Sequence, residues 1–214
     1  MPLILHSYWR ATAPYRVRIG LNLKGLPYEY APVNLLKAEQ NDEAYADLNR
    51  QELLPALDTG DGHVLTQSLA ILEWMDEVHP EPPLLPKDRY DRATVRAMAA
   101  IVACDIHPLN NLRIQKQLSA LGVDDAGRTL WTQRWINDGF RALEPMVARH
   151  GRGFAFGDTP TLADCLLIPQ VYSAERYAVD LAPYPAIRAV ADTCAGHPAF
   201  ADAHPDKQPD AQPS

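Results

Sequence analysis

Leu3-Ile4-Leu5-His6-Ser7 is an apolar run with a polar end, and it predicts a short buried strand. Small residues follow, Ala11-Thr12-Ala13-Pro14, which read as a loop. Beyond them Val17, Ile19, Leu21 and Leu23 recur around Arg16 and Arg18, predicting a helix from Tyr15 to Lys24 closed by Gly25. Tyr28 to Val33 alternates as a second strand. Asn41 to Leu48 reads as a helix capped by Asn41 or Asp42. Pro55-Ala56-Leu57-Asp58 and His63-Val64-Leu65-Thr66 flank a Gly/Asp cluster, the pattern of a β-hairpin. Ser68 then caps a helix whose Ile71, Leu72, Met75 and Val78 fall at helical spacing. The predicted order over residues 3–78 is β-α-β-α-β-β-α, an α/β unit.

The pattern then changes. Residues 80–86 hold four of the 19 prolines, a density that neither a helix nor a central strand survives. The reading divides the chain into an α/β domain over 1–80, a stiff linker over 81–87, an all-helical domain over 88–202 and a disordered tail over 203–214, where Pro205, Pro209 and Pro213 fall among polar residues. Helices are predicted at 88–104, 108–120, 126–149, 161–178 and 184–195. Thr161 to Asp164 matches a capping box in its Asp form. No internal repeat is evident.

Composition narrows the class. The chain has 214 residues, 47% hydrophobic and 22% charged, as a packed globular protein has. Acidic residues outnumber basic ones by 27 to 20, a net charge of −7 that argues against nucleic acid or an anionic membrane surface as a partner. There is no secretory leader pattern and no run approaching the roughly 18 apolar residues of a membrane span, so the expected location is the cytoplasm. Cys104, Cys165 and Cys194 lie far apart, without CxxC or zinc-finger spacing. They are read as apolar filler in a reducing compartment, and no metal site is expected.

Several short runs share one likeness. They are Tyr8-Trp9-Arg10, Arg16-Val17-Arg18-Ile19, Leu23-Lys24-Gly25, Leu54-Pro55-Ala56-Leu57 and Gln67-Ser68-Leu69-Ala70-Ile71. In the second half they are Asp105-Ile106-His107-Pro108-Leu109-Asn110-Asn111, Ala163-Asp164 and Asp180-Leu181-Ala182-Pro183-Tyr184-Pro185. In this order the chain resembles the cytosolic glutathione transferases, and in detail their zeta class of maleylacetoacetate and maleylpyruvate isomerases. The resemblance covers nearly the whole chain. It implies an N-terminal thioredoxin-like domain followed by an all-helical C-terminal domain, glutathione as cofactor, a small anionic substrate and a two-fold homodimer. One departure falls in the active site, where zeta enzymes usually have Ser-Ser-Cys and this chain has Ala11-Thr12-Ala13. The same loop holds the CxxC of thioredoxin-like redox proteins, so a dithiol activity is excluded here.

The resemblance assigns roles that elementary chemistry supports. A thiol with a pKa near 8.5 is mostly protonated at neutral pH, so an enzyme using glutathione must stabilise its anion. Thr12 and the amides opening the first helix are the candidates, with plain N-capping as the alternative for Thr12. Tyr8 is a rival, against a role in core packing. Leu54 before a cis Pro55 would pair with the cysteinyl backbone of glutathione. Gln67 and Ser68 would take the γ-glutamyl carboxylate at a helix N-terminus, and Gln51 the glycyl end. His107 and Asn111, four apart on one helix face, are further glutathione contacts. Arg10, Arg113 and Arg176 would bind substrate carboxylates, Arg113 being equally readable as a solvated helix residue. Arg16 and Arg18 are assigned to the helix face or to a dimer contact. Thr12, Arg10 and Arg176 form the expected catalytic set.

The expected reaction is glutathione-dependent cis–trans isomerisation of an enedioate keto acid, either maleylpyruvate or maleylacetoacetate, in aromatic catabolism. The alternatives are a general glutathione transferase acting on small electrophiles by conjugation or dehalogenation, and a non-catalytic glutathione-binding protein of the same fold.

Overall fold

The computed structural model describes residues 2–212. In chain order its elements are β1 (Leu3–Ser7), α1 (Thr12–Leu23), β2 (Tyr28–Pro32), a 3-10 turn (Glu39–Asn41), α2 (Glu43–Leu48), β3 (Ala56–Asp58), β4 (Val64–Thr66) and α3 (Ser68–Val78). There follow α4 (Arg89–Ala100), a π-helical segment (Ile101–Ile106), a 3-10 turn (His107–Asn110), α5 (Leu112–Ala120), α6 (Asp125–His150), α7 (Leu162–Arg176), α8 (Pro185–Ala195), α9 (Pro198–Ala203) and a last 3-10 turn (Pro205–Lys207). Two compact units result: one runs to Leu84 and resumes at Gly196, and the other is Leu85–Ala195.

The first unit is built on a four-stranded mixed sheet in the order β2-β1-β3-β4. β1 runs parallel to β2, with Leu5 opposite Tyr30, and antiparallel to β3, with Leu5 opposite Leu57. Leu5, Val17, Ile19, Leu57, Ile71, Leu72 and Met75 are fully buried and make the core that α1 and α3 share with the sheet. The two helices approach closely because residue 20 is glycine: a Cβ there would come within 2.3 Å of Leu72 Cδ2. Gly25, at φ +63°, ends α1 as expected, its N–H bonding Asn22 O at 3.1 Å while Leu26 N bonds Leu21 O at 2.9 Å.

Three features of this unit depart from the sequence reading. Thr12 to Pro14 form the first turn of α1 rather than a loop, since the N–H that proline lacks has no intrahelical partner in a first turn anyway. Arg16 and Arg18 do not lie on an outer helix face. They are 2% and 0% exposed, and each is committed to internal hydrogen bonds. The segment after residue 203, expected to be disordered, is ordered as far as it is described. Pro205 and Gln208 are buried, and Gln208 Nε2 donates to Asp202 O at 3.1 Å and His204 O at 2.8 Å. Polar composition misled there, because these polar groups find partners on the first unit. Pro213 and Ser214 lie outside the described residues.

The proline-rich stretch forms neither helix nor strand. Its first half belongs to the first unit: the buried Lys24 amine donates to Asp76 Oδ1 at 2.8 Å, His79 O at 2.7 Å and Pro82 O at 2.6 Å. The unit boundary therefore falls at Leu84, later than the predicted 80.

The second unit is all-helical. Ile136, Phe140, Leu143 and Val147 of α6 and most of α7 are buried. The capping box is present: Asp164 accepts from Thr161 N at 2.8 Å and Thr161 Oγ1 at 2.9 Å. It also accepts from Ala155 N at 2.7 Å. Burial, opposed by these bonds, pushes its pKa up to about 6. The predicted 88–104 and 108–120 helices are not plain α-helices. α4 gives way to the π-helical segment at Ile101, the chain tightens into a 3-10 turn at His107, and α5 begins anew after Asn111. Pro108 removes a backbone donor at this break. Gly139 lets α6 approach the π-helical segment, since a Cβ there would lie 2.2 Å from Ile106 Cδ1. Cys165 and Cys194 are buried, as expected of filler, whereas Cys104 is exposed on the π-helical segment.

Candidate active site

Candidate residues group at three backbone features of the first unit. The first is the N-terminus of α1. Ala11 holds the cap position and contributes no side-chain cap, which removes the reading of Thr12 as the N-cap. Thr12 and Ala13 occupy the first two helical positions, so their N–H groups point out of the helix end together with its positive partial charge. Arg10 lies directly before this turn, half-buried, with its guanidinium 5.6 Å from the centre of the Trp9 ring. Stacking on an aromatic face orients the fork and leaves its N–H edge for a carboxylate. Tyr8 is 3% exposed, as core packing predicts, although its hydroxyl is buried without a partner among the described residues.

The second feature is the Leu54–Pro55 peptide, which is cis, as the resemblance implies. Leu54 is half-buried and lies outside the β3 ladder, which begins at Ala56.

The third is the N-terminus of α3. Gln67, not Ser68, holds the cap, at φ +67° and ψ 110°. A left-handed φ on a residue other than glycine costs on the order of 1 kcal/mol, and such positions cluster where a ligand is gripped. Ser68 is the first helical residue, 5% exposed, and its hydroxyl accepts from Arg16 Nη1 at 3.2 Å. Gln67 Nε2 donates to Gln51 Oε1 at 2.7 Å, so these two exposed side chains, 16 residues apart, form one polar edge. Arg10, Thr12, Gln51, Leu54, Pro55, Gln67 and Ser68 thus all belong to the first unit, and Gln51 and Gln67 are in direct contact.

His107, Asn111, Arg113 and Arg176 belong to the second unit. His107 opens the 3-10 turn, and Asn111 is extended at φ −63° and ψ 150°, so the two do not share one α-helical face as predicted. Asn111 Oδ1 caps α5 by accepting from Arg113 N at 3.1 Å. The Arg113 side chain is exposed near the start of α5. Arg176 ends α7, exposed, with its guanidinium 5.7 Å from the Tyr172 ring centre and 5.9 Å from that of Tyr177. Sequence reasoning passed over Asn110, whose two amide atoms are buried without a partner among the described residues. It also passed over the structural work of Arg16, because two arginines on a short helix look like a solvated face. Their interleaving with Val17 and Ile19 on a helix that must cover a sheet was the available signal. Among the described residues no group of three His, Cys, Asp or Glu could hold a metal ion, and no helix is long and apolar enough to cross a membrane.

Comparison with known proteins gives this arrangement its family. Residues 13–78 match the glutathione S-transferase N-terminal domain and residues 130–202 the C-terminal domain. The chain is 53% identical over 210 residues to a maleylpyruvate isomerase of a Ralstonia species, covering 96% of this chain and 98% of that protein. A solved holo structure of a maleylpyruvate isomerase, described as a bacterial zeta-class glutathione S-transferase, superposes with a TM-score of 0.95 at 51% identity over 98% of this chain and 100% of that one. A maleylacetoacetate isomerase from Anaeromyxobacter dehalogenans, solved with dicarboxyethyl glutathione and citrate in its active site, is 44% identical with a TM-score of 0.90, covering 99% of this chain and 94% of that one. The chain belongs to the zeta class of the glutathione S-transferase family.

Proposed function

We propose that the protein is a glutathione-dependent cis–trans isomerase of a small enedioate keto acid, with maleylpyruvate as the leading substrate and maleylacetoacetate as its near analogue. The observation that carries this is the N-terminus of α1. Two outward N–H groups and the Thr12 hydroxyl make a site for a thiolate, and the stacked Arg10 immediately before it suits a carboxylate. The Ralstonia relative supports maleylpyruvate, and the dicarboxyethyl adduct held by the Anaeromyxobacter relative supports both glutathione and a dicarboxylate.

The donor set fits glutathione without a further group. The α3 N-terminus, with Ser68 and the left-handed Gln67, suits its γ-glutamyl carboxylate, and Gln51 its glycyl end. The backbone of Leu54, ahead of a cis proline and outside the ladder, suits its cysteinyl amide. His107 and Asn111 are assigned to glutathione as well. When bound, glutathione supplies a thiolate whose reversible addition to the electron-poor double bond allows rotation about it.

The protein's own part is electrostatic. Thr12 and the α1 amides hold the sulfur as its anion. Arg10, Arg113 and Arg176 bind the carboxylates, and a guanidinium beside the carbonyl favours the charge that develops on its oxygen. No side chain is required to move a proton. A homodimer in the cytoplasm completes the proposal, three cysteines far apart in sequence and without CxxC spacing being suited to a reducing compartment.

The test is an absorbance assay of maleylpyruvate with the purified protein, with and without glutathione. Loss of the enedioate absorbance only when glutathione is present is expected. Glutathione binding without turnover would instead make the chain a binding protein. Conjugation of small electrophiles without isomerisation would make it a general transferase.

A further inference from the structure

The backbone of Trp9 is held from both sides. Its N–H donates to Asp210 Oδ2 at 3.0 Å, and its carbonyl accepts from Arg18 Nη2 at 2.9 Å. Ala11 N bonds back to Tyr8 O at 3.0 Å, so the turn that follows, Arg10 to Thr12, inherits its placement from this one peptide segment.

The group on the N–H side comes from 201 residues away. The segment that carries it is anchored at several points within the first unit. Arg18 Nε donates to Ala203 O at 3.0 Å, and Asn22 Nδ2 to Ala199 O at 3.0 Å. Gln208 folds the chain back upon Asp202 and His204. The second oxygen of Asp210 accepts from the Tyr30 hydroxyl of β2 at 2.6 Å. Burial, reinforced by that bond, raises the tyrosine's pKa, which keeps it a donor at every working pH. Asp210 therefore joins β2 to the residue preceding Arg10. A segment needed only to cover apolar surface would not require a carboxylate with both oxygens engaged in this way.

We infer that Asp210 is a positioning residue of the thiolate site: through the Trp9 N–H it sets where Arg10 and the first turn of α1 lie, so that the C-terminal segment is part of the active site's support. The inference rests on the reading of the Arg10–Thr12 turn proposed above.

The test compares Asp210→Ala and Asp210→Asn with Asp206→Ala, an exposed carboxylate of the same segment, as the control. Asparagine keeps an acceptor for Trp9 N–H and presents an amide donor to the Tyr30 oxygen, so it preserves the geometry without the charge. Each protein is read by kcat/KM for maleylpyruvate, by the thiol pKa of bound glutathione from its ultraviolet thiolate absorbance, and by hydrogen exchange at the Trp9 amide. Asp210→Ala is expected to lower kcat/KM between about tenfold and a hundredfold, the loss that a misplacement on the scale of an ångström brings. It should also raise the bound thiol's pKa and speed exchange at Trp9. Asp210→Asn should stay within about threefold of wild type, as a variant that keeps the geometry should. Should Asp210→Ala not fold, Asp210→Ser, too short to span both partners, takes its place with the same outcomes. A folded Asp210→Ala with unchanged kcat/KM and thiol pKa overturns the inference, and so does an Asp210→Asn as impaired as Asp210→Ala. Failure of the wild type to isomerise maleylpyruvate would fall on the functional reading alone, since thiol pKa and amide exchange still report on the positioning.

Discussion

Arg16 Nη1 donates to the Ser68 hydroxyl at 3.2 Å, joining α1, whose N-terminus is the proposed thiolate site, to α3, whose N-terminus is proposed to take the γ-glutamyl carboxylate. Both residues are buried, 2% and 5% exposed. The bond fixes the orientation of a hydroxyl that would otherwise turn freely. Ser68→Ala is expected to raise KM for glutathione by about tenfold, the loss of one hydrogen bond to a charged group. Steady-state kinetics at saturating maleylpyruvate check this. A variant that only melts earlier, with KM unchanged, would make Ser68 a scaffold residue.

Thr12 stands at the first helical position with alanine on either side, so its side chain is the sole hydroxyl in the Ala11–Ala13 stretch. Thr12→Val is expected to raise the thiol pKa of bound glutathione by about one unit and to lower kcat near neutral pH, whereas Thr12→Ser should retain both. The pKa is read from thiolate absorbance across a pH series. An unshifted value in the valine variant assigns the whole effect to the backbone amides.

Arg10 and Arg176 both carry guanidinium groups laid near aromatic rings, over Trp9 in one unit and beside Tyr172 and Tyr177 in the other. A lysine keeps the charge and loses the planar fork. Arg10→Lys and Arg176→Lys are each expected to raise KM for maleylpyruvate by about tenfold or more, while KM for glutathione stays within about threefold. If both constants rise together in either variant, that arginine serves glutathione rather than substrate.

Asp164 has a pKa of about 6 in the folded protein, raised by burial, against about 3.9 when unfolded. Between these values the folded state holds a proton that the unfolded chain has lost. Its contribution to stability is therefore complete below about pH 4 and is lost as pH rises through about 6, an effect on the order of 3 kcal/mol. Asp164→Asn removes this titration and turns an amide donor toward either the Ala155 or the Thr161 N–H, a loss of about 1–3 kcal/mol. Thermal midpoints from pH 4 to 7 should show the variant's deficit largest at the acid end. A deficit that does not change with pH contradicts the assignment.

How far the sequence alone carried the fold depends on the range of the forces at each element. β1, β2, α3, α7 and α8 were legible because period, cap and breaker are all local: Gly25 ends a helix wherever it falls, and Thr161 with Asp164 closes its own first turn. The family likeness was legible for the same reason, being a string of short runs each tied to a local turn. Thr12, Gln67 and Ser68 could be named as candidates because they lie in or beside the short runs that carry the resemblance, and the structure places all three at helix starts.

What only the tertiary structure decided depends on partners distant in sequence. Arg16 and Arg18 read as surface until Ser68, Ser7, Trp9 and Ala203 supplied acceptors for them in the interior. The π-helical segment at Ile101–Ile106 is seated against α6 at Gly139, a contact that no local pattern announces. The polar, proline-rich end after residue 203 lacks the apolar periodicity of an ordered element. It is held instead by hydrogen bonds to Asp210 from Tyr30 and the Trp9 backbone, next to the Arg18 bond to Ala203 O at its start. Hydrophobic periodicity reports how much water a segment must exclude. It carries no information about which buried donor, two hundred residues away in the chain, is waiting for a carboxylate.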